Sequence, residues 1–589
     1  MSLGWMKNKY WLLLPVFIIG MFFVSLPVLA QVSVDGNLGA TFGLTTRGLF
    51  QMVISFVNAL LGFLGVIAVS IIIYGGYIWM TSGGVPERVN KAKKILINAA
   101  IGLGIILISF ALVQFISSKI GGGAGVPVGP GGPGGGGGAL GGGIIESVYP
   151  APGARNIARN TSIVVTFKEI MDPATVIADT NGNGTYGDWV DTAPIGNNNG
   201  QLDPGEYDTL IGGIDPNVKI IRDSTGIFLT NDEVYASKTA DDMTFVFKPV
   251  SPIGSSSEDT VYTVKLENNT IQKLVDGSLV DFGISPGCGT GYCWSFIVGT
   301  FLDTTPPKVV SARPVNSGTY DRNIVIQIVF SEAINPLSIN DTTIVVDSIA
   351  TTPVPGTLYI ANQYKTVEFL GTPCGVNSCN ETIYCLPALE TITTTILAAD
   401  CGATCPETLA MPFDGIVDMA NNSLDGNADG VATGPVGPPA DNYAWFFNTT
   451  DTINLTPPTI LSVNPVSGDV GVTLSAPIEI LFSNVMMHST LTTSNMKIID
   501  PIIGYWVGAE NEPLPPPPVP ATETRAYIYH HKFSTATNHK SEITSGVKNE
   551  YQNCFYPSSN TGSGCAGSPY CCEDLPSSCA CDNALAPCP

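Results

Sequence analysis

Ile324-Val325-Ile326-Gln327-Ile328-Val329-Phe330-Ser331-Glu332, followed by Ile334-Asn335-Pro336, is the stretch that decides the fold. β-Branched residues in alternation, closed by an aromatic ring, predict a strand with one face in a core. Ala312-Arg313-Pro314 precedes it, and the same frame recurs twice. Val148-Tyr149-Pro150 leads to Ile163-Val164-Val165-Thr166-Phe167 and Ile170-Met171-Asp172-Pro173, and Val463-Asn464-Pro465 leads to Ile478-Glu479-Ile480-Leu481-Phe482-Ser483. Recurrence of one pattern with the same flanks marks a structural unit used three times. Proline-rich joints, Asp303-Thr304-Thr305-Pro306-Pro307 and Thr456-Pro457-Pro458, stiffen the links between units. Trp294-Ser295-Phe296-Ile297-Val298 and Trp445-Phe446-Phe447 are expected to close the first two units, whereas no such strand follows Tyr551. With almost no helical period after residue 120, this part reads as antiparallel β-sandwiches in tandem.

Upstream the chemistry is different. Residues 1–30 have a basic start (Lys7, Lys9), an apolar run from Trp11 to Leu29 and a small-residue exit at Val28-Leu29-Ala30, the layout of a secretory signal peptide. Uncharged stretches from Gly48 to Ser82 and from Ile95 to Ser118 each exceed the roughly 20 residues that cross a bilayer. They are predicted to form an α-helical transmembrane hairpin. The loop between them, Gly83 to Lys94, is basic and belongs in the cytoplasm, which sends everything after it outside. Gly62, Gly65, Gly75, Gly76, Gly102 and Gly104 permit close helix approach, within the hairpin or in self-association between copies. Gly121 to Gly143 is a flexible tether by composition.

Charge follows the same division. Residues 1–120 hold eight Lys/Arg against Asp35 and Glu87, leaving 18 basic residues against 47 acids beyond, for a net charge of −23 overall. An exterior that acidic repels phosphate backbones, so nucleic acid is excluded as a partner, and it attracts divalent cations. All 14 cysteines lie between Cys288 and Cys588. That usage suits an oxidising compartment, with Cys288/Cys293, Cys374/Cys379 and Cys401/Cys405 expected to close small loops. Zinc is the rival for such spacings, but no histidine lies near these pairs. Seven cysteines from Cys554 to Cys588 form a dense tail, an odd number that leaves one sulfur for another partner.

Tyr74-Gly75-Gly76-Tyr77-Ile78-Trp79-Met80-Thr81-Ser82-Gly83-Gly84 and the basic Arg88 to Lys94 segment, set between two apolar spans, resemble the two-helix pilins of type IV secretion systems over residues 31–120. That resemblance implies an inner-membrane subunit able to enter a filament, although more than 450 further residues depart from the pilin pattern. The threefold β pattern resembles bacterial Ig-like domains of the S-layer (SbsA) type, which implies an extracellular spacer or adhesive module. The expected domains are 144–303 with an acidic insertion, 304–452 and 453–556, followed by a Cys-rich tail at 557–589.

The insertion carries the candidate site. Asp179, Asn181, Asn183, Gly184 and Thr185 occupy positions 1, 3, 5, 6 and 7 of an EF-hand-like loop, whose position 12 is Val190, leaving Asp188 or Asp191 to close it. Asn197, Asn199, Gly200, Gln201, Asp203 and Glu206 fill positions 3, 5, 6, 7, 9 and 12 of a second loop, with Ile195 at position 1. Hard oxygen ligands on a glycine-turned loop suit structural calcium, while Asn/Gly turns with solvated acids would look similar. A weaker echo, Asp425-Gly426-Asn427-Ala428-Asp429-Gly430, lacks the closing acid and reads as a turn. No catalytic motif is present: His488, His530, His531 and His539 fall in no zinc-protease pattern, and there is neither a nucleophile elbow nor a phosphate loop. The sequence therefore points to a non-enzymatic, membrane-anchored surface stalk with structural or adhesive work, and a surface protein or polysaccharide as its ligand. The alternative is a pilin-like subunit that carries this ectodomain.

Overall fold

The computed structural model describes residues 140–555, apart from 198–202, 204, 214, 283–287, 378, 403–404, 406, 408–410, 437–438, 502 and 513–520, together with Thr81 and Lys93. The expected signal peptide, transmembrane hairpin, most of the tether, the proline-rich residues Pro513 to Pro520 and the tail lie outside the described residues. Among those described, no helix is long and apolar enough to cross a membrane.

From residue 140 onward the structure is mainly β, with short 3-10 turns in place of helices. The run ending in Phe is a central strand each time. In the first module it is Ile163–Phe167, second in a sheet ordered Ile145–Tyr149, Ile163–Phe167, Thr244–Pro249, Val234–Lys238. Ile326–Phe330 and Ile478–Phe482 hold the same place in the sheets of the second and third modules. Their aromatic ends Phe167, Phe330 and Phe482 are buried, each such ring contributing roughly 1.5–3 kcal/mol of transfer free energy. The facing sheet of module one runs Tyr292–Val298, Thr260–Leu266, Val218–Arg222, Ile227–Phe228, and that of module two runs Thr319–Tyr320, Tyr443–Thr449, Thr391–Ile396, Ile344–Ser348. The expected closing strands are thus found, each carrying a buried Trp. Trp294 Nε1 donates to the carbonyl of Pro150 at 3.0 Å, and Trp445 Nε1 to that of Pro314 at 2.9 Å. In module three the described facing sheet is Met496–Asp500 paired with Lys540–Ile543, with no third strand among the described residues.

The modules are not beads on a line, as a stalk implies. Module three packs on both of its predecessors. Trp506 lies in the core of module one, and Thr493 donates to both carboxylate oxygens of Glu146 through its N–H (2.8 Å) and Oγ1 (2.7 Å). Gly141 is part of this contact: its φ is +79°, and a Cβ there would meet the Tyr505 carbonyl at 2.5 Å. Leu140 is buried in the same core, so the folded region begins inside the stretch assigned to the tether.

Against module two, Arg313 makes a two-pronged pair with Glu550 (2.8 and 3.0 Å) and donates to the Ala521 carbonyl. Beside it Glu368, fully buried, accepts from Gln327 Nε2 and from the backbone N–H groups of His488 and Ser489. His488 is buried too, bonded at Nδ1 to Thr366 Oγ1 (2.8 Å) and at Nε2 to Asn511 Oδ1 (3.1 Å).

Four disulfides are present among the described residues. Cys288–Cys293 and Cys401–Cys405 are the expected small loops. The expected Cys374/Cys379 pair is not formed. The hairpin of Thr372–Val376 with Thr382–Cys385 brings Cys374, at its register shift, to within 5.7 Å of Cys385 between Cα atoms, and frees Cys379 to reach Cys554. Cys379–Cys554 therefore ties module two to the end of module three, and Cys554 drops out of the odd count in the tail.

Two outcomes follow from these contacts. Breaking the 175-residue loop with Cys379→Ser plus Cys554→Ser costs at most about 5 kcal/mol by chain entropy, read from the denaturant midpoint. Burial pushes the His488 imidazole down to about 4. The unfolded chain therefore binds the extra proton between that value and the ordinary 6.5, and stability falls as pH drops through this window. His488→Asn removes up to about 3 kcal/mol of that pH-dependent loss in matched thermal melts at pH 7 and 4.5.

Candidate cation sites

The first predicted loop is built as a closed cradle. Asp179 Oδ1 accepts from the N–H of Asn183 at 3.1 Å and its Oδ2 from that of Gly184 at 2.9 Å. Asn181 Oδ1 accepts from the Asn183 N–H at 3.2 Å, and Asn183 Oδ1 from that of Thr185 at 2.7 Å. These Asx turns wind the chain around one point. Asp188 faces it: Oδ1 takes the Asn181 amide at 2.7 Å and Oδ2 the Asn183 amide at 2.8 Å. Asp188, rather than Val190 at position 12, thus supplies the closing carboxylate. Turning the two carboxamides over would set four oxygen-bearing side chains, two of them charged, around a +2 ion.

A short ladder seats this loop against the second. Trp189 pairs with Tyr207, Val190 N–H donates to Glu206 O at 2.8 Å, and Asp208 N–H donates to Asp188 O at 3.2 Å. In the second loop Glu206 accepts from Asn197 N–H at 3.0 Å and from Trp189 Nε1 at 3.4 Å, while Asn197 Nδ2 donates to Asp203 Oδ2 at 2.8 Å. Asn199 and Gln201 lie outside the described residues. Asp208, absent from the sequence reading, anchors the first loop from below. It is fully buried and accepts from the N–H groups of Thr180 (2.9 Å) and Gly187 (2.7 Å); burial raises its carboxyl above the ordinary range against those bonds. Its only sequence signal is its place just before the strand Thr209–Leu210, which pairs with Ile177–Ala178.

The stretch read as a turn has the same architecture. Asp425 accepts from the N–H groups of Asp429 (3.1 Å) and Gly430 (2.8 Å), Asn427 Oδ1 from that of Asp429 (2.8 Å), and Asp429 Oδ1 from that of Val431 (2.9 Å). Asp441 takes the part of Asp188, receiving the Asn427 amide at 2.7 Å. The sequence rule looked for an acid at position 12, whereas the fold returns one from further along the chain. Lys308 Nζ stands 3.1 Å from Asp425 Oδ2, which leaves this loop with a cation of its own.

A third constellation lies where modules one and two meet. One carboxylate oxygen from each of Asp303, Glu332 and Asp418 lies within 4.8 Å of the other two, and these are the only three such groups that converge among the described residues. A cavity of about 120 Å³, lined by Tyr149, Asp303 and Glu332 among others, opens beside them. Burial, then mutual repulsion, pushes the Glu332 carboxyl up to about 8, and burial pushes Asp418 up to about 7.

Residues 45–116 match the family model of type IV secretion system pilins, and residues 144–203 and 303–373 match that of bacterial Ig-like domains. No curated protein matches the chain. Among solved structures, the N-terminal part of the bacterial S-layer protein SbsC is similar at 10% identity over 57% of this chain and 56% of that one, with a TM-score of 0.15. The S-layer protein rSbsC(31-844) is similar at 9% identity over 82% and 62%, with a TM-score of 0.16. Titin domains A168-A170 are similar at 10% identity over 69% and 94%, with a TM-score of 0.14. This chain spans 56% of the first of these structures. Its sequence thus joins a segment similar to type IV secretion pilins to a folded region in which two segments match bacterial Ig-like domains.

Proposed function

We propose that the chain is a membrane-anchored, extracytoplasmic Ig-like protein with a structural or adhesive role at the cell surface. The observation that carries this reading is the pairing of a pilin-like segment with a folded region crossed by disulfides, one of them binding two modules together. Disulfides of that kind persist in oxidising compartments, and the basic loop between the two apolar stretches favours a cytoplasmic hairpin with the folded region outside. Lipid is the N-terminal partner, and a surface protein or polysaccharide is the ligand class that an acidic, non-catalytic Ig-like block suits. The match of residues 45–116 to secretion pilins supports the second reading, a subunit that carries this block into an assembly. Calcium has a structural part here, held by Asp179, Asn181, Asn183 and Asp188, with Thr185 in the turn and Asn197, Asp203 and Glu206 shaping the neighbouring loop.

Protease and a membrane-impermeant thiol reagent applied to intact cells after reduction test the topology. Cleavage and labelling in intact cells are expected, and a requirement for opened cells counts against surface exposure. Chemical cross-linking separates the two readings, because a regular ladder of oligomers favours the subunit and a monomer with mixed partners favours the anchored protein. Terbium luminescence excited through Trp189, whose indole touches Glu206, tests the loop. Asp179→Asn with Asp188→Asn abolishes at least nine-tenths of the signal, and an unchanged signal contradicts the assignment.

A further inference from the structure

The two module junctions share one hydrogen-bond frame, and three acids at the first stand where the second has amides. At the first, Asn160 holds residue 303 by both backbone groups: Nδ2 donates to the Asp303 carbonyl and Oδ1 accepts from its N–H, each at 2.8 Å. At the second, Asn323 holds residue 454 in the same way, at 2.8 and 2.9 Å. Lys308 N–H donates to Ser331 Oγ at the first and Thr459 N–H to Ser483 Oγ at the second, which aligns Glu332 with Asn484. Asp418 Oδ1 accepts from the N–H groups two and four residues on, at Ala420 and Asn422; Asn549 Oδ1 does the same at Tyr551 and Asn553. Asp303, Glu332 and Asp418 therefore correspond to Asn454, Asn484 and Asn549. The backbone of this joint forms without the three carboxylates, since the amide set does the same work and Asn549 Nδ2 even donates to the Thr456 carbonyl at 2.9 Å.

Three carboxylates in place of three amides need something that amides do not. Two lysines face the group. Lys248, half-buried, corresponds to Leu370 at the second junction; its ammonium donates to the carbonyls of Asn160 (2.5 Å) and Met419 (3.3 Å), and Asp418 acts on it from a distance without an ion pair. Lys365 acts on Glu332 from a distance and forms no ion pair with it. A second observation points to a ligand: Asn422 is fully buried, its carboxamide lies against Asp418 Oδ2 (2.8 Å) and the Asp303 carbonyl (3.3 Å), and its Oδ1 has no donor. Asn553 leaves the same oxygen open at the amide junction, where no carboxylate stands beside it to draw a cation in. The ligand set selects the ion. Three carboxylates and a carboxamide, all from the protein, suit calcium, whereas magnesium is usually held by one or two carboxylates and keeps several waters.

We propose that Asp303, Glu332 and Asp418 bind one calcium ion that locks the first module to the second, with the Asn422 carboxamide, turned over to present its oxygen, as a neutral fourth ligand. The site is separate from the loops at Asp179 and Asp425 and stands or falls independently of them. Its test is the calcium stoichiometry of the full-length chain in detergent, measured by equilibrium dialysis after chelation. The variant Asp303→Asn, Glu332→Asn, Asp418→Asn installs the second junction's own residues, so the fold has a precedent for it. It is expected to bind one ion fewer than the unmodified chain and to lose part of the calcium-induced rise in melting temperature, while Asp179→Asn with Asp188→Asn leaves the junction ion in place. An unchanged stoichiometry in the triple variant overturns the proposal. If circular dichroism shows that variant unfolded, Glu332→Gln at the half-buried position takes its place. At least a tenfold weaker affinity at one site is expected, and unaltered binding is again contrary.

Discussion

An asparagine carboxamide that bonds both the N–H and the C=O of a single linker residue sets the arrangement of this molecule. Asn160 does so for Asp303 and Asn323 for Asn454. One side chain thereby copies the double bond of a sheet ladder and fixes where the next module starts. With that point held, the strand entry of one module meets the C-terminal loop of the next. Ser162 N–H reaches Met419 O at 2.7 Å, and Val325 N–H reaches Glu550 O at 2.8 Å. The proline-rich joint that follows each pinned residue has little freedom left to lose on folding.

Because the same geometry is applied twice, module three turns back onto module one. Burial of Trp506 in another module's core and the Thr493–Glu146 pair are consequences of that closure. The closure encloses polar groups, and the structure satisfies them: Glu368 by backbone N–H donors, His488 at both ring nitrogens, Arg313 by Glu550. A network of this kind, half-satisfied, would cost more than an apolar contact of the same shape, so it specifies one arrangement of modules over others.

The strands that end in Phe and those that carry Trp were legible because alternation and a closing aromatic are local properties of the chain. The turns of the loop at Asp179 were legible for the same reason, its turn residues being neighbours in sequence. What escaped were features that only pairing creates. Cys374 meets Cys385 because a hairpin with a register shift brings them together, which spacing does not reveal. Asp441 closes its loop from a position that a twelve-residue pattern does not search. Asp303, Glu332 and Asp418 come from a linker, a strand end and a distant loop, and each alone reads as an ordinary surface acid. Their asparagine counterparts at the second junction could have flagged them, had the repeats been aligned beyond the strands.

Native-state hydrogen exchange at the junction amides measures most directly whether the modules form one locked body. The N–H groups of Ser162, Asp303, Val325 and Asn454 are bonded across or along the joints rather than within a sheet. The account predicts that they exchange as slowly as the central strands Ile163–Phe167 and Ile326–Phe330, because they open only when a module unfolds. Exchange at loop-like rates while those strands stay protected would show modules hinged freely on their linkers, and would contradict it.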